Sequence, residues 1–264
     1  MIVSHEVPKC LLTASEEFND YDYCLPHLLD EDEDYKQFFM DAKKNGRYII
    51  MDNSLHELGK AYSNKRLLYW IDKIEPDEFI VPDVWMQCHQ TAAQAKYWKQ
   101  YEYPENTKPI AVVQGEDQYD AWLCARLLKN LGYEKLCISY GATWYNQYYY
   151  HPNKHLGKAL GRLRFVSKLL EEGEFKDIEL HLLGCQVPQE FGWYKGFDNI
   201  TSIDTSNPIM AALDGTRYTE QGLIKKPKAN MNDNFDIDFF DIDYHKVLDN
   251  TKMFRTINGL KPHN

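Results

Sequence analysis

Three short runs of sequence decide the fold: YIIM at residues 48–51, PIAVV at 109–113 and ELHLL at 179–183. Apolar residues follow one another in each run, so a strand formed there would bury both of its faces. Strands are buried on both faces when helices cover a parallel sheet. The runs therefore predict an α/β fold built on a parallel sheet.

Seven such runs recur along the chain, separated by amphipathic segments with apolar residues at helical spacing. The predicted strands are residues 21–28, 48–52, 79–83, 110–114, 136–140, 180–184 and 200–204. No Gly-x-Gly-x-x-Gly follows the first strand and no P-loop motif occurs, which argues against the usual nucleotide-binding open sheets. We predict a TIM-type (β/α)8 barrel that spans residues 1–264 as a single domain. The eighth strand is assigned to 235–242 (FDIDFFDI), which could instead be an acidic surface segment.

Composition and charge exclude several classes of protein. The chain has 264 residues, 30 Lys+Arg against 40 Asp+Glu, and a net charge of −10. It has no apolar run of membrane-spanning length and no leader-like start, so we expect a cytoplasmic protein. The six cysteines lack the C-x-x-C spacing and the histidines lack metal-site spacing, so we predict no metal and no cofactor.

Positive charge is concentrated in one stretch between the fifth and sixth predicted strands. Residues 148–168 contain five basic residues and no acidic one, directly after an aromatic run at 144–150. We interpret this stretch as a basic and aromatic insertion that binds nucleic-acid phosphates and unstacked bases, although a solvated helix is the alternative. The predicted contacts are Lys154, Lys158, Arg162, Arg164 and Lys168. A second stretch, 221–230, carries Lys225, Lys226 and Lys228 without an acid.

The ends of the predicted strands are polar. Asp52 ends the second strand, Asp83 the third and Asp204 the seventh, while Gln114 and Tyr140 end the fourth and fifth. In a barrel of this type the loops that follow the strands form the active site. Neighbouring carboxylates there shift each other's pKa values, so that one can act as a nucleophile and another as an acid or base. This is the requirement of glycosidic-bond chemistry.

Six short motifs in a fixed order resemble the strand-end motifs of the tRNA-guanine transglycosylase superfamily. They are MDNS at 51–54, VPDV at 81–84, VVQG at 112–115, SYG at 139–141, HLLG at 181–184 and SIDTS at 202–206. The likeness extends from Tyr48 to Pro208, and VVQG and HLLG are the closest matches.

The resemblance implies a double-displacement reaction. Asp204 matches the carboxylate that attacks the sugar C1′ and forms a covalent glycosyl-enzyme intermediate. Asp52 matches the acid/base that handles the proton of the departing and arriving base. Asn53, in the same motif, is placed among the substrate-binding residues.

The resemblance also implies how a guanine-type base is bound. Asp83 matches the residue that accepts hydrogen bonds from N1–H and the 2-amino group. Gln114 and the backbone N–H of Gly141 match donors to the base carbonyl, and a carboxylate and amide donors do suit these edges. Tyr140 or Trp85 could supply an aromatic stack.

Two departures from the family bear on the substrate. Residues 52–57 read DNSLHE where the family has D-S-G-G-F-Q. The C-x-C-x-x-C…H zinc cluster of the tRNA enzymes has no counterpart, since the last cysteine is Cys185. The chain thus most resembles the short DpdA-type 7-deazaguanine DNA transglycosylases. The expected partners are DNA, with tRNA as the less favoured polymer, and a free base such as 7-cyano-7-deazaguanine.

Other functions remain open at this stage. A tRNA-guanine transglycosylase is the nearest alternative. A retaining glycosidase or nucleoside hydrolase could use Asp204 and Asp52 on the same barrel. An inactive barrel that binds nucleic acid or a partner subunit is the third, although the presence of Asp204 argues against it.

Overall fold

The computed structural model describes residues 1–60 and 62–263, which form eight strands and a series of helices. The strands are β1 Ile2–Ser4, β2 Asp22–Cys24, β3 Ile49–Met51, β4 Glu78–Ile80, β5 Lys108–Val112, β6 Lys135–Ser139, β7 Glu179–Leu183 and β8 Ile200–Asp204. The α-helices are α1 Pro26–Glu31, α2 Glu33–Lys44, α3 Leu55–Leu58, α4 Asn64–Ile74, α5 Cys88–Trp98, α6 Gln118–Asn130, α7 Tyr145–Tyr148, α8 Lys154–Glu171, α9 Asn207–Leu213, α10 Met231–Asn234 and α11 Tyr244–Asn258. Short 3-10 helices lie at Lys9–Leu11, Thr13–Glu17, Gly173–Phe175, Pro188–Tyr194 and Phe239–Asp241.

The strands belong to one sheet in the order β1-β8-β7-β6-β5-β4-β3-β2. The strand pairs whose register is determined are parallel. Helices separate the consecutive strands from β2 to β8 along the chain. This is the α/β class with the TIM-type (β/α)8 barrel fold, as the apolar runs predict.

The predicted position of the eighth strand is wrong. The additional strand is β1, near the N-terminus, whereas the segment 235–242 contains only the 3-10 helix Phe239–Asp241. A parallel strand here would bury the carboxylates of Asp236 and Asp238 on one face and that of Asp241 on the other, which is costly. The segment instead stays at the surface, where the Phe240 side chain is 94% exposed.

The chain divides into two compact units, each of which is described by itself. Unit 1 comprises Met1–Asp20 and Ser139–Asn264, and unit 2 comprises Tyr21–Ile138. The prediction that residues 1–264 act as a single domain stays a prediction.

Unit 2 contains β2 to β5 and all of β6 except Ser139. Buried side chains occupy all of β2, β3 and β4, because helices such as α4 and α6 pack on the sheet with buried apolar residues. The helix starts follow capping rules: the Ser63 hydroxyl accepts from the Arg66 N–H, and the Asp117 carboxylate accepts from two N–H groups of the first turn of α6. Because the helices cover the faces of the strands, the polar side chains gather where the strands end.

Unit 1 contains β1, β7 and β8 with α7 to α11. Ser4 of β1 and Leu183 of β7 are both in register with Asp204 of β8, so these three residues lie side by side at the carboxyl ends of their strands. The Tyr140 N–H donates to the Leu183 carbonyl at 3.0 Å, which places Tyr140 at the same level. Ser4, Leu183, Asp204 and Tyr140 are therefore aligned at the carboxyl ends of the strands in unit 1.

The segment expected to be an insertion contains α7 and α8, and α8 is the helix that links β6 to β7. Gly161 of α8 lies directly against the backbone of Tyr145 in α7, where a Cβ would overlap the Tyr145 carbonyl. Only glycine allows the two helices to approach this closely.

Replacing Gly161 by Ala is expected to lower the free energy of unfolding by about 1–3 kcal/mol, because the added methyl overlaps backbone. Ala normally stabilises a helix interior relative to Gly by about 1 kcal/mol, so the sign is reversed here. Gly173→Ala is the control, since a Cβ there would meet no described atom within 4 Å. Urea unfolding compares the variants, and a stabilised Gly161→Ala protein would contradict the packing.

Candidate active-site residues

Three strand ends of unit 2 meet at the carboxylate of Asp83. The Asn53 Nδ2 donates to Asp83 Oδ1 at 2.7 Å, and the Gln114 Nε2 donates to Asp83 Oδ2 at 2.6 Å. Asn53, Asp83 and Gln114 follow β3, β4 and β5, and all three side chains are buried. Each carboxylate oxygen has two lone pairs, so one on each oxygen remains for a further donor.

Burial raises the pKa of Asp83 from 3.8 to about 6. The hydrogen bonds from Asn53 and Gln114 act in the opposite direction, and the nearby charge of Asp52 adds to the increase. The folded chain therefore holds this proton more tightly than the unfolded chain, and Asp83 makes the free energy of unfolding fall as the pH rises from about 4 to 6. A carboxyl that titrates this close to neutrality in a strand-end cluster is a candidate functional group.

The two amides that hold Asp83 are themselves fixed by backbone groups. Asn53 Nδ2 also donates to the Val81 carbonyl at 3.1 Å, so both of its N–H bonds are used. Gln114 Oε1 accepts from the Met86 N–H at 2.9 Å. Asn53 thus orients Asp83. Because neither of its N–H bonds is left for a ligand, the structure does not support the prediction that Asn53 binds substrate. Gln114 keeps one N–H for the predicted contact with a base carbonyl.

The loops next to this cluster contain unusual backbone. Ser54 and Met86 have φ angles of 56° and 57°, in the left-handed region that side chains other than glycine rarely adopt. One directly follows Asn53, and the other donates its N–H to Gln114. Strained residues of this kind persist where the surrounding structure fixes them, and they concentrate at functional sites.

Asp52 follows β3 and is buried. Its Oδ2 accepts from the Ser54 N–H at 3.0 Å, and the Ser54 hydroxyl lies 2.8 Å from His27 Nδ1. Burial lowers the pKa of His27, which favours the neutral ring. His27 belongs to α1 rather than to a strand end, and it steadies the loop that carries Asp52.

Close packing explains why position 115, the last residue of the VVQG motif, is a glycine. A Cβ at Gly115 would overlap the backbone of Asp120 and Ala121, so the loop after β5 packs directly on the first turn of α6. The close approach holds Gln114 where it contacts Asp83.

The second carboxylate site is in unit 1 and consists of a chain of three side chains. His181 Nε2 lies 2.9 Å from Asp204 Oδ1, and His181 Nδ1 lies 2.8 Å from the Ser202 hydroxyl. An ionised carboxylate only accepts, so Nε2 carries the hydrogen and Nδ1 accepts from Ser202. All three side chains are buried. The arrangement fixes Asp204 through one oxygen.

His181 lies inside β7, where a buried histidine with its hydrogen bonds satisfied is an ordinary core residue. It is indeed buried and bonded, but its contact with Asp204 also makes it a positioning residue, which sequence reasoning missed. The available signal was its position two residues before the end of β7, next to the strand that ends in Asp204. Ser4 was missed as well: its buried hydroxyl, in register with Asp204, has no hydrogen-bond partner among the described residues.

The structure does not support the base-binding roles expected for Tyr140 and Gly141. The Gly141 N–H donates to the Ser139 hydroxyl at 3.1 Å instead of being available for a base carbonyl. The Lys226 ammonium covers one face of the Tyr140 ring at 3.9 Å from its centroid, and Gly184 packs at the ring edge. That covered face is closed to a base. Trp85, in unit 2, is 44% exposed and is the better candidate for stacking.

The assignment of Arg162 to phosphate binding is wrong. Arg162 is 0% exposed, and its guanidinium donates to Glu190 Oε1 and to the carbonyls of Leu183 and Gly184. It lies three and four residues before the buried Phe165 and Val166, so its helix face was the signal that sequence reasoning overlooked. Lys154, Arg164 and Lys168 are exposed, and Lys158 is half-buried.

The described residues contain neither a metal-binding cluster nor a membrane-spanning helix. Within residues 1–60 and 62–263, no group of three His, Cys, Asp or Glu side chains is arranged to hold a metal ion. In the same part of the chain, no helix is both long and apolar enough to cross a membrane. The predicted lack of a metal and of a cofactor stays a prediction.

No family model matches the chain, and no curated protein is significantly similar to it. The resemblance to the guanine transglycosylases therefore rests on the six strand-end motifs alone.

Replacing Arg162 by Met is expected to lower the free energy of unfolding by about 3–5 kcal/mol, because Glu190 would keep a buried charge without its partner. Arg164→Met, on the exposed side of the same helix, should cost less than about 1 kcal/mol. Urea unfolding distinguishes the two variants, and equal stability would show that the buried pair is not needed.

Proposed function

We propose that the chain is a base-exchanging glycosyltransferase that replaces guanine in a nucleic acid by a 7-deazaguanine. The observation that carries the proposal is the buried carboxylate of Asp83, held from both sides by Asn53 and Gln114. A carboxylate fixed in this way presents only acceptors, which match the adjacent N1–H and 2-amino donors of a guanine-type base. The remaining N–H of Gln114 matches the neighbouring carbonyl of such a base.

Asp204 is the proposed nucleophile. Its Oδ1 accepts a hydrogen bond from His181, which leaves Oδ2 to attack the sugar C1′. The C1′–N9 bond breaks as the C1′–O bond forms, and Asp52 gives a proton to the departing base. In the second half, Asp52 takes the proton of the incoming deazaguanine, whose nitrogen attacks C1′ and releases Asp204.

DNA is the proposed polymer, because the chain lacks the zinc cluster of the tRNA enzymes. The exposed Lys154, Arg164 and Lys168 and the half-buried Lys158 lie on one side of α8 and extend over about 21 Å, at 1.5 Å per residue. They supply the local positive charge that a chain of net charge −10 needs in order to approach phosphates.

Asp204→Asn is expected to abolish base exchange, because the amide oxygen is too weak a nucleophile to form the covalent intermediate. Release of labelled guanine, from duplex DNA and from tRNA in parallel, measures the exchange when 7-cyano-7-deazaguanine is supplied. Asp198→Asn, an exposed carboxylate of the same unit, is the control and should exchange normally. Exchange by Asp204→Asn at the wild-type rate would refute the assignment, exchange on tRNA alone would refute DNA, and abasic sites without exchange would identify a hydrolase.

Affinity for a free guanine-type base is expected to depend on the ionised form of Asp83. With a pKa of about 6, binding should weaken about tenfold between pH 7 and pH 5. Asp83→Asn should lose about 1–3 kcal/mol of binding free energy at pH 7 and should lose the pH dependence. Calorimetric titration measures both. Unchanged affinity in Asp83→Asn, or a flat wild-type profile between pH 5 and 7, would contradict the recognition role.

A further inference from the structure

Ser4 is a buried serine whose hydroxyl the fold does not use. It ends β1 and is 1% exposed, and its hydroxyl has no hydrogen-bond partner among the described residues. A buried hydroxyl without a partner costs free energy that an alanine in the same place would not. The serine is accounted for if a ligand supplies the missing partner.

The backbone of Ser4 is held firmly beside Asp204. The Ser4 carbonyl accepts from the Thr205 N–H at 3.0 Å. His5 Nδ1 donates to the Thr205 carbonyl at 2.9 Å, and the N–H and carbonyl of His5 both bond to the Asn19 side chain, at 2.7 and 3.0 Å. These bonds fix the end of β1 against the end of β8, so the position of Ser4 is set by the fold.

Ser4 and Asp204 lie on the same face of the sheet. They are register partners on adjacent parallel strands, where side chains project to the same side at a spacing of about 4.8 Å. The same face carries Ser202 and His181, which bond to each other, and His181 bonds to Asp204. Because β8 lies between β1 and β7, Ser4 flanks Asp204 on the side opposite His181.

The two neighbours of the Asp204 carboxylate differ in what they offer. His181 Nε2 donates to Oδ1 at 2.9 Å, so this side holds the carboxylate in place. On the other side the Ser4 hydroxyl has a hydrogen to donate and no described acceptor. A serine hydroxyl turns about one bond between three staggered positions, so it can reach a ligand next to Asp204 while the strand stays in place.

The stereochemistry of a nucleoside indicates which ligand atom this hydroxyl would meet. The base leaves C1′ on one face of the sugar ring, and the carboxylate that displaces it attacks from the opposite face. In ribose and 2′-deoxyribose alike, the 3′-oxygen projects from that opposite face. It is carried by a ring carbon close to C1′, just as Ser4 is on the strand next to Asp204. A donor beside the attacking carboxylate therefore suits the 3′-oxygen.

We propose that the Ser4 hydroxyl donates a hydrogen bond to the 3′-oxygen of the nucleotide whose C1′ Asp204 attacks. The spare donor beside Asp204 follows from the fold, whereas the sugar and its orientation rest on the proposed function. The bond orients the ring so that C1′ faces Asp204 Oδ2. Ser4 keeps its proton throughout, so it is a substrate-binding residue and not an acid or a base.

The first test measures whether the fold needs the Ser4 hydroxyl. Ser4→Ala should unfold at the same urea concentration as the wild type or at a higher one, because no hydrogen bond is lost. Ser15→Ala is the matched control: Ser15 is a buried serine of the same unit whose hydroxyl donates to the Leu12 carbonyl at 2.7 Å, so its urea midpoint should fall. An equal fall in Ser4→Ala would show that the fold already uses the hydroxyl and would overturn the proposal.

The second test compares 2′-deoxyguanosine with 2′,3′-dideoxyguanosine, which lacks only the 3′-oxygen. In calorimetric titrations, wild type and Ser15→Ala should bind 2′-deoxyguanosine about tenfold more tightly, and Ser4→Ala should bind the two alike. Equal binding of the two by the wild type, no binding of either, or an unchanged preference in Ser4→Ala would overturn the contact.

The same titrations, set beside the base-exchange assay, separate this contact from the proposed function. If Ser4→Ala loses the preference as expected while the wild type exchanges no base, the sugar contact stands and the proposed function fails. If the wild type exchanges bases but binds the two nucleosides alike, the proposed function stands and the sugar contact fails.

Discussion

A buried carboxylate needs hydrogen-bond donors, and the strand ends of this chain are arranged to supply them. Taking an ionised carboxylate out of water is costly unless neighbouring groups donate to it. Asp83 receives two amide donors, Asp204 receives the His181 ring, and Glu190 receives the guanidinium of Arg162. Each donor comes from a different strand, strand end or helix than its acceptor, so these bonds tie neighbouring segments of each unit together.

The same requirement explains why several polar groups are not available to a ligand. Asn53 uses both N–H bonds on Asp83 and Val81, and Gly141 uses its N–H on Ser139. Few polar groups are left to bind a ligand: the spare lone pairs of Asp83, one N–H of Gln114 and the second oxygen of Asp204. The polar residues of each unit thus divide into a few that can meet a ligand and a larger set that orients them.

Much of the fold could be predicted from the sequence, because strands apolar on both faces are distinctive. The runs at 48–51, 109–113 and 179–183 all belong to parallel strands, and the polar residues after such runs are the ones that gather at strand ends. β1 was not predicted, because its apolar residues are followed at once by the polar Ser4 and His5 and form no run like those that mark β3, β5 and β7. The prediction of a strand at 235–242 was wrong because alternating polar and apolar residues occur in exposed strands and in irregular surface segments alike.

Side-chain partners were harder to predict than positions. Arg162 and Arg164 stand two residues apart in a basic stretch, yet only Arg162 points inward, to Glu190, which lies 28 residues further along the chain. His181 is bonded to Asp204 through strand register, which depends on pairing between strands rather than on local sequence. Such contacts are set by tertiary structure, and composition or spacing cannot reveal them.

The central claim, that Asp204 held by His181 is a nucleophile, is tested most directly by trapping the intermediate. The protein is incubated with DNA, denatured, and digested with a nuclease and a protease, and its peptides are then analysed by mass spectrometry. The claim predicts that the peptide containing Asp204 carries the added mass of a deoxyribose phosphate without its base. A sugar adduct on a different residue, or base exchange that proceeds with no protein adduct, would contradict it.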